Sequence, residues 1–231
     1  MSVFADAVRW ILDPVSWQGS DGVALRLQEH LVYSGLGVGI ACAIAIPVGL
    51  LIGHTRRAEF IAVSVANLGR AIPSFAILSI VFQVMLNYWP GIAFGLGPTV
   101  IAMILLAIPP ILTNTYVGVQ QVDRDTVEAA RGMGMTGGQV LRRLEVPLAA
   151  PLIVTGVRTA AVQVIATATL AALIGGGGLG RFIVDGFAQG DDVILVAGAI
   201  LVALLAIVAE VVFGGLARLA RPRLASVSAP A

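Results

Sequence analysis

The side chains that most often carry out covalent chemistry are few in this sequence and lie far apart. Its 231 residues include two histidines, one cysteine and 14 cationic residues, all of them arginine. Without a lysine the chain has no phosphate-binding loop of the form GxxxxGK[ST], in which the lysine contacts the phosphates. The lone Cys42 lies within an apolar run and is interpreted as a small packing residue. We therefore expect no catalytic residue, no metal site and no cofactor bound by this chain.

A glycine-rich stretch, GGGGLG at positions 175–180, formally matches the dinucleotide-binding pattern GxGxxG. That pattern binds a pyrophosphate where it follows a strand and opens a helix in a βαβ unit. Here it follows a long apolar segment instead. We expect a tight turn on the outer side of the membrane, in which the backbone packs closely.

Composition identifies the elements that must position any functional residue. Hydrophobic residues make up 58% of the chain and charged residues 12%, whereas a soluble domain has roughly 25% charged residues. The mean hydropathy is +0.96, so the chain is predicted to be an integral membrane protein. The predicted fold class is all-α, with about five transmembrane helices of ~20 residues each. The apolar segments are 31–53, 60–86, 98–119, 148–174 and 193–216.

Charged residues and prolines interrupt several of these segments. Arg70 and Pro73 lie within the second segment, which predicts a break near Pro73 because proline cannot donate a helical hydrogen bond. Arg158 and Glu210 lie within the fourth and last segments. Ionisable groups at membrane depth are costly and are therefore functional candidates, although structural pairing is the more frequent explanation. The histidines at positions 30 and 54 flank the first segment and are interpreted as interfacial polar residues.

The distribution of arginine predicts the orientation, because cytoplasmic loops are enriched in positive charge. With five spans, the opposite side contains only Arg9, Arg26 and Arg181. The cytoplasmic side has Arg56, Arg57, Arg124, Arg131, Arg142, Arg143, Arg218, Arg221 and Arg223. Three parts follow from this assignment. Residues 1–30 form an amphipathic segment outside, 31–217 form the transmembrane domain, and 218–231 form a cytoplasmic tail.

The longest polar passage, residues 122–147, has the pattern of two short helices joined by a glycine bend. Asp123 or Asp125 is a candidate N-cap for a helix from position 126 to about 131. Thr136 and Gln139 have the spacing of a capping box. A second helix is predicted from 139 to 146, ending before Pro147, with Glu145 on its polar side. We call residues 122–147 the knuckle. Local physics alone leaves two interpretations open: a docking element, or a hairpin that covers the chain's own helices.

The knuckle resembles the E-A-A-x3-G-x9-I-x-L-P signature of the permease subunits of ABC importers. The matching residues are Glu128, Ala129, Ala130, Gly134, Leu144 and Pro147, with Leu144 in place of isoleucine and Val146 in place of leucine. In that family the loop is a coupling helix that binds a groove of a separate ATPase. The resemblance implies the type I ABC importer permease fold, with ATP and magnesium used by the partner ATPase.

Other stretches are similar to the branch of permeases for glycine betaine, carnitine and choline. They are RAIPSFA at 70–76, NTY at 114–116, GVRTA at 156–160 and TATLAALIG at 167–175. With the intramembrane charges, they define candidates for the pathway or for a structural polar seam. These candidates are Arg70, Pro73, Ser74, Asn114, Tyr116, Arg158, Thr167 and Glu210.

The sequence thus predicts a permease subunit in the cell membrane, with no enzymatic activity of its own and no nucleic-acid partner. The resemblance implies three protein partners: an ATPase, a second permease that is identical or paralogous, and an external substrate-binding protein. The expected substrate is a small quaternary amine. The alternative is an importer for methionine or another amino acid. An ion-coupled secondary transporter is less favoured, because no convincing internal repeat and few intramembrane ion ligands are present.

Overall fold

The computed structural model describes residues 2–220, apart from the side chains at positions 61, 65, 66, 68 and 70. Every regular element in this part of the chain is helical, which confirms the all-α prediction. The α-helices are α1 (Val3–Leu12), α2 (Val23–Thr55), α3 (Glu59–Ala71), α4 (Ser74–Tyr88), α5 (Leu96–Gln120), α6 (Arg124–Gly132), α7 (Gly137–Val140), α8 (Val146–Thr167), α9 (Gly180–Gln189) and α10 (Asp192–Leu219).

Four helical segments in the described part are long and apolar enough to cross a membrane. They are Val23–Thr55, Leu96–Gln120, Gly137–Ile174 and Asp192–Leu219. Three of the five predicted segments lie within the first, second and last of these, with boundaries extended by one to eight residues. The first shows the largest difference: α2 begins at Val23, eight residues before the predicted start, because polar residues continue the helix beyond the apolar run.

The second predicted segment is broken as expected. Helix α3 ends at Ala71 and α4 begins at Ser74, with Pro73 in an extended conformation at the N-cap of α4. The residue before a proline is disfavoured in helical geometry, so the break falls there. At 1.5 Å per residue the 15 residues of α4 span about 22 Å, less than the ~30 Å of a bilayer core.

The fourth predicted segment joins the knuckle without interruption, and the expected helix end before Pro147 is wrong. Residues Gly137–Ile174 form one continuous helical rod, hereafter the long rod. It consists of α7, a π-helical turn (Leu141–Glu145), α8 and a 3-10 segment (Ala168–Ile174). Pro147 lies in the first turn of α8, where a missing N–H is tolerated because the π turn has already changed the hydrogen-bond pattern.

Residues 175–192 are not simply a loop, because α9 occupies most of them. This amphipathic helix was not predicted from sequence. It ends at Gly190, which has a left-handed backbone, and Asp191 then caps α10 by accepting hydrogen bonds from Val193 and Ile194. Phe182 of α9 packs edge-to-face against Trp10 of α1, so the N-terminal helix is fixed to this end of the molecule.

Helix α5 is the centre of the bundle. In the apolar stretch of α5, 56% of the residues are buried, compared with 22% in α2 and 17% in α10. Helices α2 and α10 therefore have large surfaces available to lipid. Small residues let α2 approach α5 closely. An added Cβ at Gly37, Gly49 or Gly53 would lie 2.5 to 2.7 Å from Cβ atoms of α5.

Candidate coupling loop and polar membrane face

The first half of the knuckle is a capped helix. The carboxylate of Asp123 accepts hydrogen bonds from the backbone N–H groups of Asp125 and Thr126 and from the Thr126 hydroxyl. The Thr126 hydroxyl, with these backbone donors, lowers the pKa of Asp123 below its usual value. Of the two predicted caps, Asp123 is therefore the one that starts α6, two residues earlier than expected.

The second half of the knuckle starts with the predicted capping box. The Gln139 side chain accepts from the backbone N–H of Thr136, and the Thr136 hydroxyl accepts from the N–H of Gln139. The next turn is π-helical, closed by the Val146 N–H on the carbonyl of Leu141. Residues five apart fall near one another in such a turn. Glu145 therefore faces inward with Val140, and its predicted place on the polar side is wrong.

The signature residues divide into an exposed set and a buried set. Glu128, Ala129 and Gly134 are exposed. Pro147, in the first turn of α8, is also exposed. Ala130 is buried against the chain itself, and Leu144 is half-buried. The exposed Met133 lies beside Gly134 with 78% of its surface accessible. Sequence reasoning missed this methionine, although an adaptable apolar side chain at a polar bend is typical of a docking surface.

Two residues that the sequence did not connect meet at the base of the knuckle. His54 Nδ1 lies 2.6 Å from Glu145 Oε2, and Glu145 is only 5% exposed. His54 was interpreted as an interfacial polar residue, but it is a specific partner of the knuckle. The pair opens onto a cleft of about 340 Å³ shared with Arg124, Glu128 and Arg131 of α6.

A polar face runs along α8 at membrane depth. Arg158 of α8 and Glu210 of α10 form a hydrogen-bonded ion pair whose side chains remain 36% and 43% exposed. A groove of about 560 Å³ contains both residues. The polar residues that share this side of α8 are Thr155, Arg158, Thr159, Gln163 and Thr167. By contrast, the exposed residues of α10 in this region include Ile207, Val208, Val211 and Val212.

The remaining membrane candidates lie elsewhere. Asn114 donates to the carbonyl of Pro110 and packs against Gly156, where an added Cβ would lie 2.7 Å from that of Asn114. Tyr116 is buried in the main hydrophobic core. Pro73 is exposed at the break, and Ser74 begins α4. The side chain of Arg70 lies outside the described part of the structure. Among the candidates whose side chains are described, Arg158 and Glu210 share one groove, whereas Tyr116 lies in the core and Pro73 at the break.

The glycine-rich stretch forms the closely packed turn that was expected, and α2 holds it in place. The N–H groups of Gly177 and Gly178 donate to the Tyr33 hydroxyl and the Glu29 carboxylate. The Leu179 N–H donates to Nδ1 of His30 at 3.2 Å, which leaves Nε2 to donate to the carbonyl of Ile165 at 2.9 Å.

His30 is fully buried, so its interpretation as an interfacial residue is wrong. A Cβ at Gly177 would lie 2.1 Å from Glu29, and Gly178 has a φ of +85°. The close contact with α2 therefore requires glycine at these positions. This packing accounts for the GxGxxG pattern, and a dinucleotide site is not needed to explain it.

The chain has several membrane-length helices, with the knuckle at one end and a polar face along α8. These features define a multi-pass membrane protein of the transport class. Residues 45–226 match the family model of the binding-protein-dependent transport system inner membrane component. The chain belongs to this family.

Curated relatives cover most of the chain. The carnitine transport permease protein OpuCB of Listeria monocytogenes is 37% identical over 199 residues, which are 86% of this chain and 88% of the relative. The glycine betaine/carnitine/choline transport system permease protein OpuCB of Bacillus subtilis is 33% identical over 195 residues, which are 84% and 87% of the two chains.

A solved structure of the MetNI methionine ABC transporter in an inward-facing conformation shares the fold. The TM-score is 0.75, and the match covers 87% of this chain and 96% of the other at 21% identity. The predicted type I ABC importer permease fold is confirmed.

Proposed function

We propose that this chain is the permease subunit of an ATP-driven importer for small quaternary amines such as glycine betaine, carnitine and choline. The observation that best supports this function is the knuckle, whose signature residues lie on a rigid, capped element projecting from the membrane helices. The names of the relatives support the substrate class, since both OpuCB proteins are described as carnitine permeases or as permeases for carnitine and related amines.

The exposed bend of the knuckle, away from the buried Glu145 at its base, is the surface to which a separate ATPase binds. Glu128, Ala129 and Gly134 are exposed together with Met133, and small residues at two of these positions let another backbone approach closely. Leu144 and Pro147 lie in the part of the long rod that belongs to the knuckle. ATP and magnesium act in the ATPase, and this chain binds neither.

The polar face of α8 lies against a second permease, identical or paralogous, and lines the pathway. Threonine, glutamine and an ion pair are costly in contact with lipid but are tolerated where they line a polar cavity or another protein. Arg158, Thr167 and Glu210 belong to this surface. Arg70, Pro73 and Ser74 belong to the same pathway near the α3–α4 break, and Asn114 and Tyr116 support it from within α5.

The knuckle end is cytoplasmic, as the arginine distribution predicts, and the N-terminus is outside. The loop at 87–97 and the turn after the long rod lie together at the opposite end, where Gly95 N–H donates to the carbonyl of Ile174. A substrate-binding protein delivers its ligand to this end. The proposed parts are an outer segment at 1–30, whose last residues already belong to α2, a transmembrane domain at 31–217 and a cytoplasmic tail at 218–231, of which 221–231 lie outside the described residues.

Uptake by cells that express the complete operon tests this proposal. We expect accumulation of radiolabelled carnitine, glycine betaine or choline to require this chain and ATP, and to persist when an ionophore removes ion gradients. Radiolabelled methionine is the control for the alternative substrate class. Chain-dependent uptake of methionine without uptake of any quaternary amine would contradict the proposed substrate, and uptake abolished by the ionophore alone would contradict ATP-driven transport.

A further inference from the structure

The buried carboxylate of Glu145 lies at the junction between the knuckle and the membrane helices. A carboxylate with 5% of its surface exposed is costly to bury unless it is hydrogen-bonded. Within residues 2–220, the side chain that meets it is His54, at the last turn of α2. The knuckle is thus joined to α2 by a charge-assisted contact at 2.6 Å.

His54 also lies close to the knuckle at a second position. Gly137, at the start of the long rod, lies near its ring, since an added Cβ there would lie 3.4 Å from Nε2. One histidine is therefore bonded to one end of the segment between Gly137 and Glu145 and lies close to the other end. This segment contains the π turn (Leu141–Glu145), a rare type of turn that is frequent at functional sites.

Helix α2 and the long rod are joined a second time, near the end of the bundle opposite the knuckle. His30 of α2 donates to the carbonyl of Ile165 in the long rod, and it accepts from Leu179 in the glycine turn that follows the rod. His30 and His54 lie about 36 Å apart along α2 at 1.5 Å per residue. Helix α2 and the long rod are therefore fastened to each other at both ends.

We propose that Glu145 is a positioning residue for energy coupling, which acts through its hydrogen bond to His54. When the ATPase moves the knuckle, this contact moves α2 with the long rod, and α2 transmits the displacement to the glycine turn at the opposite end. This inference rests on the proposed function, because it requires an ATPase on the knuckle. A purely local role would differ: the contact would seal the base of the knuckle and maintain only the docking surface.

The test uses the complete complex of permease, ATPase and binding protein reconstituted in lipid nanodiscs. Glu145→Ala and His54→Ala each remove the contact, whereas His54→Asn keeps a nitrogen donor near the position of Nδ1. Glu59→Gln is the matched control, because it neutralises an exposed carboxylate at the same end of the membrane helices. Three quantities are measured: ATPase retained on tagged permease, basal ATP hydrolysis, and hydrolysis stimulated by substrate-loaded binding protein.

We expect both alanine variants to retain the ATPase and its basal hydrolysis, while stimulation falls about tenfold, as for loss of a buried hydrogen bond to a charged group. The double variant should be no worse than either single variant, because both remove one contact. His54→Asn should recover most of the stimulation, and Glu59→Gln should match the parent.

Transmission to the opposite end has its own readout. In the parent complex, trapping with ATP should change the hydrogen exchange of the amides at 177–179. In Glu145→Ala this change should be absent although the ATPase is still bound. An exchange change that persists in Glu145→Ala with the ATPase bound would show that the contact does not transmit the movement.

Four results would overturn the inference. They are full stimulation in both alanine variants, loss of the ATPase from these variants, a His54→Asn variant as defective as His54→Ala, and an exchange change at 177–179 that persists in Glu145→Ala. Failure of the proposed function is distinguishable, because the parent complex would then retain no ATPase or show no stimulation by any loaded binding protein.

Discussion

At the scale of single residues, glycine at position 134 has two possible reasons: a left-handed backbone angle and space for another protein's backbone. Its φ is +87°, a backbone conformation that residues other than glycine and asparagine rarely adopt. A Cβ added at this position would meet no neighbouring atom within 4 Å in the described part of the chain. The turn itself therefore requires the backbone angle and leaves open space. The proposed binding of an ATPase to the knuckle would add a second requirement, close approach of another backbone at this position.

The variants Gly134→Asn and Gly134→Val test these requirements separately. Asparagine tolerates the left-handed backbone but adds a side chain, so we expect Gly134→Asn to fold and to lose ATPase retention about tenfold or more through steric contact. Gly134→Val should in addition destabilise the bend. Co-purification of the ATPase and thermal melting of the purified permease measure the two effects. Normal retention with Gly134→Asn would mean that glycine is present for its backbone alone.

At the scale of elements, the knuckle is a pair of short helices that depend on their caps. Isolated helices of this length are marginal in water, so side-chain caps and contacts with the membrane helices must stabilise them. Asp123 caps α6, the capping box of Thr136 and Gln139 caps the second helix, and His54 holds the base. These contacts therefore hold the knuckle together as a folded unit.

Replacement of the first cap should loosen α6 without affecting the membrane helices. In Asp123→Ala we expect the amides of the first turn of α6 to exchange hydrogen about fivefold faster, whereas Asp123→Asn should remain close to the parent. Exchange measured by mass spectrometry in nanodiscs reports both variants. Equal acceleration in the two variants would show that charge, not the hydrogen-bonded cap, stabilises this turn.

The same cap has a defined dependence on pH. Because the hydrogen bonds lower the pKa of Asp123 in the folded state, its stabilisation is fully present above the unfolded value of about 3.9. It is lost as the pH falls through the lower folded value. We therefore expect the contribution of this cap, measured as the difference in exchange between the parent and Asp123→Ala, to be the same at pH 7 and pH 5.

At the scale of the whole molecule, the helices present two kinds of surface to their surroundings. Helix α5 is enclosed, α10 exposes isoleucine and valine, and α8 exposes threonine, glutamine and an arginine paired with Glu210. Lipid tails accept the surface of α10, whereas the polar surface of α8 requires water or protein. The chain is therefore asymmetric in cross-section, as expected of one half of a transport pathway.

Cysteine accessibility distinguishes these surfaces in the assembled complex. In a Cys42→Ala background, Thr159→Cys should react with a water-soluble maleimide when the pathway is open, and its reactivity should change when ATP is trapped. Val211→Cys, on the lipid side, should react only with a membrane-soluble reagent. Equal reactivity of the two positions with the water-soluble reagent would contradict the assignment of the faces.

Much of the fold follows from signals that extend over a few residues. Apolar runs determine where α5 and α10 lie, because a helix in lipid must be apolar over its length. The Ile72–Pro73 break and the capping box at Thr136 follow from local backbone chemistry. The π turn was not predictable from sequence, because α-helical periodicity gives no sign of it. For this reason the side of Glu145 and the helix end at Pro147 were predicted wrongly.

Sequence alone determined the membrane class, the family and the knuckle, because composition, capping and signature spacing are properties of neighbouring residues. Tertiary structure alone decided which polar groups pair. His54 meets Glu145 across 91 residues, and His30 meets Leu179 across 149. Such contacts depend on how helices pack around α5, and no local pattern records that packing. The two histidines, which the sequence placed at the membrane surface, are therefore the residues that bond helix α2 to the long rod near each end of α2.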